Sequence, residues 1–300
     1  MEITSGRRLH FGLLTPAPIE GIDFLYGGLG AMVDAVGIRF TAELAKEWSF
    51  TGPEEHRVQA VINKLQVHYG TLQPIHFTVH ESAPAHQGWG TGTQLALEVA
   101  LVVLAASRKS WNADEVAMVL GRGTRSGIGI AGFEKPGFYF DAGKTMDGKR
   151  LPLERYVLPR EWTWVLVEPG QEAGLSAEEE RRAFAELGPL SANTAEKLLT
   201  LARTRVIPAI KHNDFKMFAT SLTEYNYLAG EYYQPIQHDH YGSAKTVERL
   251  QLLKDAGAQC YGQSSWGPGL FTLHPNKTLA ERFVAGVKLP DCRLILARSR

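Results

Sequence analysis

A glycine-rich turn that runs directly into an apolar helix is the feature that most restricts the fold of this chain. The turn is Gly88-Trp89-Gly90-Thr91-Gly92-Thr93, and a helix is predicted over residues 94–106. Because this helix is apolar on nearly every side, it must lie inside a domain and be covered by other elements. Strand-like stretches at residues 3–14 and 32–44 can supply that cover, since β-branched and aromatic residues alternate there.

The same turn has the composition of an anion-binding loop. Its three glycines allow a tight turn that aims several backbone N–H groups at one point. The dipole of the following helix adds positive potential there, which favours phosphate. The P-loop lysine and the Rossmann glycine spacing are both absent. A strand-to-helix turn capped by threonine is the alternative interpretation.

A second glycine-rich stretch, residues 121–130, carries Arg122 and Arg125. The planar guanidinium groups match carboxylate or phosphate, so two arginines between glycines favour an anion site. A mobile, solvated loop is the alternative. A third such stretch, residues 262–269, either approaches a ligand closely or forms an ordered hairpin.

Three further candidates are weaker. If residues 3–14 form a strand, Arg8 and His10 share one of its faces; a surface strand is the alternative. Asp141 follows a short aromatic strand and is either a magnesium ligand or base, or a turn cap. His238 and His240 form either a metal pair or part of a polar loop.

Charge and composition exclude several classes of protein. The 32 Lys and Arg balance 32 Asp and Glu, which argues against a general nucleic-acid binder. Cys260 and Cys292 form neither a disulfide framework nor a zinc spacing. Residues 1–8 lack the apolar core of a signal peptide, and the longest apolar run is far short of a membrane span. We therefore expect a soluble cytoplasmic protein without a membrane or nucleic-acid partner.

The domain organisation follows from length and composition. A chain of 300 residues predicts about two domains, and the polar stretch 149–160 is a plausible linker. We predict α+β domains at residues 1–155 and 156–300. The second has a strand, helices, two strands, a helix and a strand, in the order of a ferredoxin-like domain.

Two of these stretches resemble motifs of the GHMP superfamily of small-molecule kinases and their relatives. They are residues 84–96 (PAHQGWGTGTQLA), for the anion loop, and residues 262–271 (GQSSWGPGLF), for the motif of the carboxy-terminal domain. The resemblance implies a GHMP-type two-domain fold. Its amino-terminal domain is like the second domain of ribosomal protein S5, and its carboxy-terminal domain is ferredoxin-like.

Longer motifs resemble one branch of that superfamily, the β-ribofuranosylaminobenzene 5′-phosphate synthase family. They are residues 8–16 (RLHFGLLTP), 88–100, 121–133 (GRGTRSGIGIAGF) and 204–210 (TRVIPAI). The implied activity is a decarboxylating phosphoribosyl transfer. It joins phosphoribosyl diphosphate to 4-aminobenzoate, releases CO2 and diphosphate, and serves tetrahydromethanopterin biosynthesis and one-carbon metabolism. Mg²⁺ is the expected cofactor, on the diphosphate.

The chain departs from these patterns at two positions. GHMP kinases commonly carry Ser-Gly-Val-Asp, whereas this chain has Ser126-Gly127-Ile128-Gly129, with glycine where the acid would stand. A kinase without that carboxylate needs a substitute for it, so the departure favours the synthase. Trp89 replaces a smaller aliphatic residue. The alternatives are an ATP-dependent GHMP-type kinase and a non-catalytic ligand-binding homologue.

The resemblance and the chemistry of the reaction together suggest a set of site residues. The predicted catalytic residues are Arg125, His10 and Asp141. The predicted substrate-binding residues are Arg8, Gly88, Gly90, Thr91, Gly92, Thr93, Gln94, Arg122, Ser126 and Gly127. The metal ligands are not identified. The expected partners are the two small-molecule substrates, with a homodimer as an open option for the quaternary structure.

Overall fold

The first half of the chain is built on one seven-stranded sheet. The computed structural model describes residues 1–170, 172, 174, 177–187, 191–237 and 239–300. The strands of this sheet are β1 (Glu2–Thr15), β2 (Phe24–Leu44), β3 (Ser49–Thr51), β4 (Ile75–Ser82), β5 (Phe138–Asp141), β6 (Lys144–Thr145) and β7 (Leu153–Tyr156). The long strand β2 pairs with β1 along one edge and with β4, β5 and β6 along the other.

Four helices accompany this sheet. They are α1 (Glu55–Tyr69), α2 (Thr91–Ala106), α3 (Ala113–Val119) and α4 (Ile128–Glu134). Helix α2 is buried along most of its length, which confirms the prediction of a central apolar helix. It begins three residues earlier than predicted because Gly90 adopts a left-handed conformation (φ 66°) that starts the helix at Thr91. Helix α4 was not predicted, since it begins inside the glycine-rich stretch of residues 121–130.

The second half forms a four-stranded antiparallel sheet. Its strands are β8 (Thr163–Pro169), β9 (Cys260–Gln263), β10 (Leu270–His274) and β11 (Cys292–Arg298), in the order β11-β8-β10-β9. Between β8 and β9 lie α5 (Ala177–Glu186), α6 (Ala192–Leu201), α7 (Ile207–Lys211), α8 (Phe215–Gly230), α9 (Gln234–Gln237) and α10 (Ala244–Asp255), and α11 (Lys277–Gly286) precedes β11. This order is the ferredoxin-like arrangement that the sequence predicted.

The two halves share a hydrophobic core. Phe11 of β1 lies 5.8 Å from Phe138, 5.7 Å from Trp164 and 5.0 Å from Phe271, measured between ring centroids. The predicted linker 149–160 contains the edge strand β7, which pairs with β5, so that part of the prediction is wrong. Proline and charged residues surround this short strand, so the alternation of apolar and polar residues that would predict a strand is not visible in the sequence. The domain boundary at residues 155/156 falls within β7 and stays a prediction.

A buried ion pair also joins the halves. Arg7 of β1 lies 2.5 Å from Glu168 of β8, and the two side chains are only 3% and 7% exposed. The Arg7 Nε–H donates to the carbonyl of Val36 at 2.9 Å. The pair therefore attaches the second sheet to the strand that also carries Arg8 and His10.

Replacing Arg7 by methionine should lower the free energy of unfolding by about 3–5 kcal/mol, because it leaves the Glu168 carboxylate buried without a cation. The control is Arg39→Met, which breaks an exposed pair with Glu81 (41% and 40% exposed, 3.6 Å) and should cost about 1 kcal/mol or less. Urea unfolding measures both. Equal losses in the two variants would contradict a special role for the buried pair.

Candidate active site

A cavity of about 640 Å³ lies where the glycine-rich segments of both halves meet. Its described lining includes five positively charged side chains, namely Arg8, Lys64, Arg122, Arg125 and Arg181. It contains no Asp or Glu among the residues that the structure describes. A described lining with five cationic side chains suits the cavity to an anionic ligand.

Backbone hydrogen bonds hold the walls of this cavity around strand β1. The Arg8 N–H donates to the carbonyl of Trp89 at 2.8 Å, and the Ser265 N–H donates to the carbonyl of His10 at 2.8 Å. The Ser264 hydroxyl donates to the carbonyl of Gly88 at 2.9 Å. Two glycine-rich loops that are far apart in the sequence are thus joined through β1.

The loop at residues 88–93 places the amino terminus of α2 beside three arginines, Arg8, Arg57 and Arg122. Little room is left for side chains there: a Cβ on Gly90 would lie 2.9 Å from the Cβ of Arg8, and one on Gly92 would lie 2.9 Å from Nη2 of Arg57 and 3.4 Å from Nη1 of Arg122. Burial and the nearby Arg57 lower the pKa of Arg122 from its ordinary value. An anion bound at the start of the helix would stabilise this partly buried guanidinium, because it would offset the charge of Arg122 and of the neighbouring Arg57.

His10 is a neutral hydrogen-bond donor. Burial, and secondarily the charge of Arg8, lowers the pKa of His10 to about 3. Its Nδ1 accepts a hydrogen bond from the Gly12 N–H at 3.3 Å, so the ring proton resides on Nε2. His10 lines the cavity, and its lowered pKa makes it unsuitable for general acid–base catalysis near neutral pH.

Three residues that line the cavity each carry a buried side-chain nitrogen without a hydrogen-bond partner in the described part of the chain. These nitrogen atoms are Nε2 of His10, Nε of Arg122 and Nε1 of Trp266. A buried donor without a partner costs free energy, and native proteins rarely leave one unsatisfied. Three such donors around one cavity indicate that a ligand rich in acceptor atoms satisfies them.

Aromatic side chains form another part of the lining, which we call the aromatic wall: Phe184, Tyr233 and Trp266. Phe184 stacks on Trp266 with 5.1 Å between ring centroids and an interplanar angle of 13°. Tyr233 meets Trp266 at 4.6 Å and 87°. The guanidinium carbon of Arg125 lies 3.9 Å from the centroid of Phe184. The wall therefore offers ring faces and edges beside a cation.

The structure gathers some of the predicted site residues and separates others. The described lining contains Arg8, His10, Thr93, Arg122, Arg125 and Ser126, whereas Gly88, Gly90, Thr91, Gly92, Gln94, Gly127 and Asp141 lie outside it. Gln94 is buried and donates from Nε2 to the carbonyl of Gly129 at 2.8 Å, which ties α2 to α4. The glycines and Gln94 thus shape the loop, while Thr93 faces the cavity.

Asp141, one of the predicted catalytic residues, binds backbone N–H groups, as its alternative interpretation of a turn cap implies. Its carboxylate accepts hydrogen bonds from the N–H groups of Gly127 (2.7 Å) and Gly143 (2.9 Å), and from the Ser126 hydroxyl (3.4 Å). Burial raises the pKa of Asp141, and the two backbone hydrogen bonds oppose that change. The position of this side chain suits it to hold the loop that carries Ser126.

The sequence analysis missed Lys64, Arg181 and the aromatic wall. Arg181 and Phe184 are three residues apart on α5, a spacing that puts both on one helix face and could have been noticed. Tyr233 is buried, and it also lines the cavity. Lys64 carries no local signal, because only the tertiary structure brings α1 to the loop at residues 120–126.

The described residues contain no group of three or more His, Cys, Asp or Glu placed to hold a metal ion. Of the proposed histidine pair, His238 lies outside the described residues. The ring of His240 stacks on Tyr227 at 3.7 Å. Within the described ranges, every helix is too short or too polar to span a bilayer.

His10 should stay neutral, with its proton on Nε2, from pH 8 down to pH 5. ¹⁵N NMR of the imidazole measures both properties, and His10→Gln assigns the resonance. Because the ring titrates near 6.5 when unfolded and near 3 when folded, stability should fall as the pH drops from 6.5 towards 3. Protonation of His10 above pH 5 would contradict this account.

Gly88→Ala should weaken binding of inorganic diphosphate about tenfold or more, because the new Cβ would lie 1.9 Å from the Ser264 carbonyl oxygen and displace the loop. Gly21→Ala is the matched control: its φ is also positive (+80° against +88°), but nothing lies within 4 Å. Calorimetry should find ordinary diphosphate affinity in that control. Equal diphosphate affinity in the two variants would show that the close packing of Gly88 against the Ser264 carbonyl does not matter for diphosphate binding.

Comparisons with known proteins place the chain among synthases. No family model matches it. The β-ribofuranosylphenol 5′-phosphate synthase of Methanothermobacter thermautotrophicus is 30% identical over 299 residues, which cover 92% of this chain and 89% of that protein. The synthase of the same name from Methanocaldococcus jannaschii is 26% identical, with 94% and 92% covered.

A solved structure matches the fold over the full chain. Mevalonate kinase from Methanococcus jannaschii has a TM-score of 0.72 at 11% identity and covers 100% of this chain and 98% of that one. This similarity confirms the predicted α+β, GHMP-type fold. The sequence motifs predicted an enzyme of the synthase branch, and the curated relatives confirm that prediction. The names of these relatives contain phenol, whereas the motifs predicted an aminobenzene. The chain belongs to the family of β-ribofuranosylphenol 5′-phosphate synthases.

Proposed function

We propose that this protein transfers the phosphoribosyl group of phosphoribosyl diphosphate to a ring carbon of a 4-substituted benzoate, releasing CO2 and diphosphate. The observation that carries the proposal is the cavity lining, which joins five cations to an aromatic wall without a described acid. Such a lining suits one ligand with several negative charges and another that is aromatic and singly charged. The membership of the synthase family supports the same reaction.

The reaction balances without an external acid, base or oxidant. The ring carbon that bears the carboxylate uses a π electron pair to form a bond to C1 of the ribose. The C1–O bond pair leaves with diphosphate. The pair of the ring–carboxylate bond then returns to the ring as CO2 departs, and aromaticity is restored. A site without a catalytic carboxylate can therefore support this chemistry.

The kinase alternative needs a carboxylate, and the described lining of the cavity contains none. A GHMP-type kinase positions or deprotonates an alcohol, commonly with an aspartate at the place of Gly129. Gly129 lines the cavity, and a Cβ built there would lie 3.4 Å from Cγ2 of Thr93, so position 129 faces the anion loop. Glycine at this position supports a reaction whose nucleophile is a ring carbon.

The side chains of the cavity have separate tasks in the proposed reaction. Arg8, Lys64 and Arg122, together with the amino terminus of α2, would stabilise the charge that develops on the departing diphosphate. The aromatic wall would orient the arene and exclude water, which competes for the same sugar carbon. Neutral His10 would donate its Nε2–H to an oxygen of either substrate.

The expected Mg²⁺ stays a prediction. Magnesium is usually held by one or two carboxylates together with substrate phosphates. The described lining offers hydroxyl groups but no carboxylate, and the oxygens of Asp141 accept backbone hydrogen bonds. These residues do not fit a magnesium site held by the protein, so we derive no step through a metal ion.

The names of the relatives decide which acceptor to test first. A ribofuranosylphenol product implies 4-hydroxybenzoate as the acceptor, whereas the sequence analysis expected 4-aminobenzoate. Both rings carry an electron-donating group opposite the carboxylate, which activates the attacking carbon. A role in tetrahydromethanopterin biosynthesis and a homodimer stay predictions.

The purified protein should release labelled CO2 from carboxyl-labelled 4-hydroxybenzoate when phosphoribosyl diphosphate is present. A parallel reaction with 4-aminobenzoate identifies the preferred acceptor, and reactions with and without chelator test the need for Mg²⁺. A reaction with ATP and a panel of small alcohols tests the kinase alternative. Release of CO2 from neither benzoate by folded protein would end the proposal.

Arg122→Met should lower kcat/KM by about 10²-fold or more, because it removes a cation from the charge that develops on diphosphate. Arg39→Met, on an exposed strand position away from the cavity, is the control and should remain within about twofold of the unmodified enzyme. Steady-state CO2 release measures both variants. A near-normal kcat/KM for Arg122→Met would remove Arg122 from the reaction.

A further inference from the structure

We propose that the cavity is divided into a phosphate subsite at the anion loop and an arene subsite at the aromatic wall. In the arene subsite, Trp266 is the residue that recognises the acceptor, by donating its indole N–H to an oxygen of the ring's substituents. This inference rests on the proposed function, and it assigns Arg122 to the sugar diphosphate and Arg125 to the benzoate.

The phosphate subsite follows from contacts around the start of α2. Arg8 packs against Gly90, Arg122 lies beside Gly92, and Thr93 presents its side chain to the same space. The Nζ of Lys64 donates to the carbonyl of Leu120 at 3.2 Å, which keeps its charge next to the loop that carries Arg122. Three cations and a helix amino terminus therefore converge at one place, where they would stabilise a bound diphosphate by charge and by hydrogen bonds.

The arene subsite follows from the contacts of the other two arginines. Arg125 lies over the ring of Phe184, and Arg181 is three residues before Phe184 on the same helix. Arg125 therefore contacts the aromatic wall, and Arg181 lies on the helix that carries Phe184. A benzoate has one ring and one negative charge, and this combination of ring faces and guanidinium groups matches both.

Trp266 supplies a directional donor in this subsite. Trp266 lines the cavity, and its Nε1 is buried and has no hydrogen-bond partner among the described residues. The contacts with Phe184 and Tyr233 hold the indole ring in place, so the N–H points in a set direction. Since an indole N–H only donates, it selects an acceptor atom such as a carboxylate or hydroxyl oxygen.

His10 lies between the two subsites. It follows Arg8 by two residues on β1, and its carbonyl accepts the N–H of Ser265, the neighbour of Trp266. Its unpartnered Nε2–H therefore lies near the place where the sugar carbon and the ring carbon must meet. A second buried donor at this junction supports two ligands that meet within the one cavity, beside His10.

Binding of separate probes tests the division without requiring turnover. Inorganic diphosphate, benzoate and 4-hydroxybenzoate are titrated one at a time into the full-length protein by calorimetry. Trp266→Phe keeps a ring in the wall but removes the N–H, and should weaken binding of the aromatic probes about tenfold while diphosphate stays within about twofold. Arg122→Met should show the opposite pattern.

The control is Trp111→Phe, because Trp111 packs on Phe133 and is not in the described lining. It should bind all three probes as the unmodified protein does. If Trp266→Phe weakens binding of 4-hydroxybenzoate but not of benzoate, the indole N–H recognises the hydroxyl oxygen. If the substitution weakens binding of both probes, the indole N–H recognises a carboxylate oxygen. Unchanged binding of both aromatic probes, or equal losses of aromatic probes and diphosphate, would overturn the proposal.

Two further measurements separate this proposal from the proposed function. If no CO2 is released but the probes divide as expected, the subsites stand and the reaction is wrong. If CO2 is released, Trp266→Phe should raise the KM for the benzoate and leave the KM for phosphoribosyl diphosphate unchanged. Should this variant fail to fold, Phe184→Leu removes the stacking partner of Trp266 and should weaken the aromatic probes alone; unchanged binding there would likewise overturn the proposal.

Discussion

The candidate site depends on the backbone hydrogen bonds that strand β1 makes at Arg8 and His10. The N–H of Arg8 binds the anion loop at Trp89, and the carbonyl of His10 binds the carboxy-terminal loop at Ser265. Main-chain groups on the same strand therefore set the distance between two glycine-rich loops. Arg7, the neighbour of Arg8, is buried against Glu168 and attaches the same strand to the second sheet. A shift of β1 would move the cation, the imidazole and both loops together.

The electrostatics of the cavity follow from what surrounds it. Its described lining contains cations, neutral donors and rings, and burial keeps His10 uncharged so that it acts as a donor. The nearby acid Asp141 is occupied by the N–H groups of Gly127 and Gly143. Such a cavity stabilises developing negative charge and offers little to a reaction that must remove a proton. These properties agree with a reaction in which a ring carbon is the nucleophile and the ring loses CO2, because such a reaction needs no base.

Much of the fold could be predicted because its signals are local. The apolar helix α2, the long strands and the order of elements in the second half are all visible in periodicity and turn residues. Helix α4 and strand β7 were missed, since each is short and lies among glycine, proline or charged residues. Asp141 shows the same limit at the site: an acid after a strand suggests chemistry, but only its neighbours reveal that two backbone N–H groups already bind it.

The sequence by itself determined the anion loop, the arginine-bearing loop and the alternation that places Arg8 and His10 on one wall, because glycine conformation, charge and strand period act over a few residues. Tertiary structure alone decided that Lys64, Arg181 and the aromatic wall join them. Those residues lie on helices whose own patterns show only which face is apolar. Their approach to the loops depends on how two sheets share one core around Phe11, and that packing is set by contacts between residues more than a hundred positions apart.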